Sequence, residues 1–80
     1  MRDHAVGGRC QRDIDRHRAP EGIERVDKKT NFPGSQDEVH VNGGAVRRDG
    51  TIKHQLKKPL NNSQKEWMRK WGFRIPSSER

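Results

Sequence analysis

Apolar side chains are scarce in this chain of 80 residues: 26% are hydrophobic and 5% aromatic, while 36% are charged. A typical globular domain is about 45–50% apolar, and high charge with few aromatics marks chains that cannot bury a large core. No stretch approaches the roughly 18 apolar residues of a membrane span. The N-terminal MRDHAVGGRCQRDIDRHR also has no apolar core of about 7–15 residues such as a secretory signal carries. Cys10 is the single cysteine, which excludes a disulfide scaffold and, with no CxxC pair, a zinc ribbon. What remains is room for one small domain, with a folded part shorter than the chain.

Positive charge is what the chain has in excess. Lys and Arg number 18 against 11 Asp and Glu, a formal net charge of +7. Residues 1–22 hold five arginines against four acids, with Gly7-Gly8 and Ala19-Pro20 as breakers and no apolar period. They read as a flexible leader. Residues 23–76 read as the domain and 77–80 as a tail. Nearly all the net charge lies beyond the leader, which favours a polyanionic partner.

The fold expected is α+β: a three-stranded antiparallel meander covered by one C-terminal amphipathic helix. Val39-His40-Val41 alternates, and Asn42-Gly43-Gly44 supplies the positive-φ residues of a tight hairpin. Ala45 to Arg48 makes the second strand, Asp49-Gly50 the next turn, and Thr51-Ile52-Lys53-His54-Gln55 the third strand. Ile23 and Val26 suit either a short strand or a turn ahead of the polar loop 28–36. Ser63-Gln64-Lys65-Glu66 has the form of a capping box. Trp67, Met68 and Trp71 then make one apolar stripe, and Gly72 is placed to end the helix with Phe73 folding back on Met68.

Strand parity singles out the candidate chemistry. With Val39, Val41 and Ile52 inward, His40, Thr51 and Lys53 share the outer face, and His54 lies inside or at the strand's end. A histidine beside Lys and Thr suits RNA cleavage without metal, because the 2′-hydroxyl attacks its own phosphodiester. The protein then supplies a base, an acid and cations around the phosphate. His40 is the base candidate, and Lys53, Thr51, Arg47 and Arg48 are the candidates to surround the phosphate. Arg47, Arg48, Lys57 and Lys58 are candidate nucleic-acid contacts; Asn42 and Asp49 also stand near the hairpins. No cofactor and no metal is expected, since His40, Asp49 and His54 match no strict ligand spacing. Gly43-Gly44 lacks the Lys-Ser/Thr of a phosphate loop. His4 and His17 fall in the leader.

Arg25-Val26-Asp27, Val39-His40-Val41-Asn42-Gly43, Asp49-Gly50-Thr51-Ile52-Lys53-His54, Glu66-Trp67 and Trp71-Gly72-Phe73 together form a pattern over about two-thirds of the chain. It resembles the C-terminal ribonuclease toxin domains of bacterial polymorphic and contact-dependent toxin systems. The resemblance implies a cytoplasmic RNA target, delivery by a secretion system as part of a longer protein, and a cognate immunity protein as partner. It also implies His40 and His54 as acid and base. Glu38 stands where such strands often carry a first histidine and is the alternative to His54 as partner of His40; Phe73 stands where they carry tryptophan. A non-catalytic nucleic-acid-binding module and a degenerate toxin fragment are the alternatives.

Overall fold

The computed structural model describes residues 11, 12, 14–16 and 18–79. Expectations for Cys10, His4 and His17 lie outside the described residues. The chain runs through β1 (Ile23–Asp27), β2 (Glu38–Val41), β3 (Gly44–Arg47), β4 (Ile52–His54), helix α1 (Asn62–Lys70) and a 3₁₀ turn (Ser77–Glu79). The four strands form one antiparallel sheet in the order β1-β2-β3-β4. The architecture is thus the expected α+β meander with a helix, but with four strands, not three. Ile23 and Val26, three residues apart, break strand alternation in the sequence; a bulge between Ile23 and Arg25 lets both face inward.

Local chemistry fixes the turns. Asn42 (φ 50°) and Gly43 (φ 79°) form the two-residue link between β2 and β3, in the left-handed region such a hairpin requires. Gly44 has no room for a side chain: a Cβ there would lie 2.5 Å from the His54 carbonyl oxygen. Between β3 and β4, Asp49 Oδ1 accepts from the Thr51 N–H at 2.9 Å and its hydroxyl at 2.6 Å, while Gly50 takes φ 91°.

One face of the sheet carries the core. Val39, Val41 and Val46 have no exposed surface, and Ile23, Val26, Leu56, Leu60, Trp67, Met68, Phe73 and Ile75 join them. Both tryptophans therefore belong to the apolar side of the helix, with Trp67 buried and Trp71 half-buried and packed against the core. The helix ends as expected: Gly72 is left-handed at φ 87°, and the Phe73 and Gly72 amides donate to Met68 and Arg69 at 2.9 and 3.0 Å. Its start differs from expectation. The N-cap is Asn61, not Ser63; Asn61 Oδ1 accepts from the Gln64 N–H, and Gln64 Oε1 accepts from the Asn61 N–H. Asn and Ser cap equally well, and the choice falls to Asn61 because Gln64 is anchored from outside the helix.

That anchor is a buried amide pair. Gln64 Nε2 donates to Asn42 Oδ1 at 2.9 Å, and Asn42 Nδ2 donates to Gln64 Oε1 at 3.1 Å. Gln64 Nε2 also donates to the Glu21 carbonyl at 2.7 Å, and Asn42 Nδ2 to the Pro59 carbonyl at 3.1 Å. The backbone of Asn42 bonds Gly22 on one side and Lys57 on the other. Gly22 sits so close that a Cβ would collide with both amides, Gln64 Nε2 and Asn42 Oδ1.

The described part of residues 1–22 meets the domain: Ile14 and Ala19 pack against the core, and Gln11 Oε1 accepts from the Val26 N–H at 2.9 Å. At the other end, Glu79 Oε1 accepts from the Leu60 N–H at 2.8 Å. Among the described residues no helix is long and apolar enough to cross a membrane.

Gln64→Leu keeps the volume of the side chain but leaves the buried Asn42 amide short of a partner. The expected cost is about 1–3 kcal/mol, read from the midpoint of denaturant unfolding followed by Trp67 and Trp71 fluorescence. Glu66→Gln, on the exposed side of the helix, should leave that midpoint in place.

Candidate functional site

The face of the sheet opposite the core is polar, and register decides who stands on it. His40 lies opposite Arg25 on β1 and Ala45 on β3, and Asp27 and Arg47 both lie opposite Glu38. Cross-strand partners share a face, so Arg25, Asp27, Glu38, His40, Ala45 and Arg47 point the same way. β4 joins with an irregularity: Val46 pairs with Ile52 but Ala45 pairs with His54, leaving Lys53 as the extra residue. His54 is therefore exposed on the His40 face, not inside with Ile52 as strict alternation requires. Ala45 separates the two histidines, which stand two strand spacings or roughly 10 Å apart at the backbone.

His40 Nε2 is 2.9 Å from Asp27 Oδ2, with the histidine side chain 20% exposed. With Nε2–H donating to the carboxylate, Nδ1 is left as the ring's free acceptor. Asp27 Oδ1 is held by Arg25 Nε at 3.2 Å, so the carboxylate is oriented from both sides. Lys53 Nζ lies 3.1 Å from Glu38 Oε1 and reaches the same face from its bulge. Glu38 is thus engaged by a cation. Arg47 Nη1 donates to Thr51 Oγ1 at 3.3 Å, and that hydroxyl in turn donates to Asp49.

Asp27, Glu38 and His40 also bring one ligand atom each within 4.8 Å of one another. Among the described residues this is the set that could hold a cation, in place of the His40, Asp49 and His54 combination weighed in the sequence. Arg25 and Lys53 already neutralise its two carboxylates.

Other candidates go to structural work. Asn42 is consumed by Gln64. Arg48 donates to the buried Asp37 at 2.7 Å, lies 5.6 Å from the Phe73 ring, and its carbonyl accepts from the Arg74 N–H. Lys57 and Lys58 are exposed, but they stand beside the Asn42-Gly43 turn, at the end of β2 away from Glu38. Of the four basic candidates, Arg47 alone shares the His40 face. Asp27, the partner of His40, escaped sequence reasoning because only the β1–β2 register brings it there.

No protein-family model, curated protein or solved structure matches the chain at a significant level.

Among the described residues Asp49 carries the one clear titration signature. Hydrogen bonds from the Thr51 hydroxyl first, then the Gln36 side chain and the Thr51 amide, lower its carboxyl from 3.8 to about 2. The folded value lies below the unfolded one, so its contribution to stability is complete above about pH 4 and is lost as pH falls through about 2. The Thr51 amide resonance is expected to titrate near pH 2 in the wild-type chain, and Asp49→Asn to remove that step.

Proposed function

We propose that the chain is a small metal-independent endoribonuclease of the toxin type, cutting RNA by attack of the 2′-hydroxyl on the adjacent phosphodiester. One observation carries this reading: His40, oriented by Asp27 at 2.9 Å, shares the sheet face opposite the core with His54, Lys53 and Arg47. In the reaction, His40 Nδ1 takes the 2′-hydroxyl proton and the 2′-oxygen bonds to phosphorus. The bond to the 5′-oxygen breaks, and the leaving oxygen takes its proton from His54 acting as acid. The products are a 2′,3′-cyclic phosphate and a 5′-hydroxyl, with no net proton consumed. Lys53 and Arg47 are placed to balance the charge that develops on the phosphoryl oxygens. Asp27 is a positioning residue, holding the imidazole in one tautomer. Thr51 supports Arg47. The wider reading, of a domain carried by a longer delivery protein and restrained by an immunity partner, rests on the resemblance in sequence.

The net charge of +7 supports a second reading, in which the same face holds nucleic acid without cutting it. The two differ in one experiment. Total bacterial RNA incubated with the chain in EDTA should be cut, with His40→Ala lowering the rate roughly 10²- to 10⁴-fold. Asp27→Asn should lower kcat while KM holds. Intact RNA from a chain that unfolds cooperatively would leave the binding module, with affinity falling steeply as salt rises.

A further inference from the structure

Phe32 is 79% exposed, the one large hydrophobic side chain on the surface among the described residues. It is one of only four aromatic rings in the chain, two Phe and two Trp. The loop that carries it is tied down. Ser35 Oγ accepts from the Thr30 N–H at 2.7 Å and pairs with the Thr30 hydroxyl at 3.1 Å. The Ser35 N–H donates to the Phe32 carbonyl at 3.1 Å, and the Lys29 N–H to the buried Asp37 at 2.9 Å. Pro33 and the left-handed Gly34 complete the bend. The ring is thus held out from a clasped loop, so contact with it costs little ordering of the backbone.

Two features indicate what it meets. Lys28 and Lys29, four and three residues before it in the same connection between β1 and β2, are exposed and enter no salt bridge among the described residues, so this connection offers an anion two cations. The loop also leaves the sheet at Asp27 and re-enters at Glu38, which are register partners next to His40. Aromatic surface, unpaired cations and continuity with a face suited to phosphate are the components of a single-strand nucleic-acid platform. We infer that Phe32 stacks on an unpaired RNA base flanking the phosphodiester presented to His40, with Lys28 and Lys29 holding the adjoining phosphates. This inference rests on the ribonuclease reading and assigns that site a single-stranded substrate. It distinguishes the chain from a reader of duplex RNA, whose bases offer no free face to an aromatic ring.

The test uses the wild-type chain and a labelled 2′-O-methyl oligouridine, which keeps its bases but lacks the attacking hydroxyl. A strand of the same length made of abasic units serves as control, with both followed by fluorescence anisotropy. Phe32→Ala is expected to weaken binding of the oligouridine at least roughly five-fold, the lower end of what one stacked base contributes. It should leave the abasic strand unchanged, and Phe32→Trp should restore affinity. Equal affinity of Phe32→Ala and wild type for the oligouridine overturns the inference and leaves the ring to a protein partner. So does an equal loss on both strands, which would mean a disturbed loop. The two readings fail differently: RNA left intact by the wild-type chain removes the ribonuclease. Cleavage that needs His40 but whose KM ignores Phe32→Ala removes only the platform.

Discussion

Everything in this small domain is tied to the reciprocal amide pair of Asn42 and Gln64. It lies in the interior, where a polar group without a partner costs about 1–3 kcal/mol, a large fraction of the stability of a domain this size. The pair satisfies itself and then spends its remaining donors on the backbone of Glu21 and Pro59. Four pieces of chain meet there: the approach to β1, the β2–β3 turn, the segment before the helix and the first turn of α1. With few apolar residues to spend, the fold obtains from directional hydrogen bonds the specificity that a larger core would supply through packing. A second buried polar group, Asp37, plays the same part at the opposite end, where Arg48 and the Lys29 amide converge on it.

The core side of the sheet is filled by valines and the helix, so polar residues accumulate on the other side with no need of burial. His40 and Asp27 meet there because β1 pairs with β2 in a register that sets Arg25 opposite His40 and Asp27 opposite Glu38. The irregularity at Lys53 then turns His54 toward them. One residue more or less in either strand would send one of these side chains to the core. The candidate chemistry depends on the regular β1–β2 register and on the single bulge at Lys53.

Much of the fold could be read from local signals. The Asn42-Gly43 hairpin, the Asp49-Gly50 turn, the apolar stripe of Trp67, Met68 and Trp71 and the Gly72 terminus each depend on residues within a few positions of one another. The strand β1 was ambiguous because Ile23 and Val26 fit no regular period until a bulge is allowed. The helix start was misplaced because Ser63 and Asn61 are equally good caps, and Gln64 settles the matter through a residue 22 positions away. His54 reaches the outer face at the end of β4 for the same kind of reason: alternation holds only while the ladder is regular.

The sequence by itself determined the size of the core, the excess of positive charge, the turns and the presence of His40 on a strand face turned away from Val39 and Val41. These follow from composition and from periodicities of two or a few residues. Tertiary structure alone decided that Asp27 holds His40, that Asn42 and Arg48 are structural, and that His54 joins His40. Each of these depends on register between segments distant in the chain. Register is a global minimum over burial and hydrogen bonding, which no local pattern encodes.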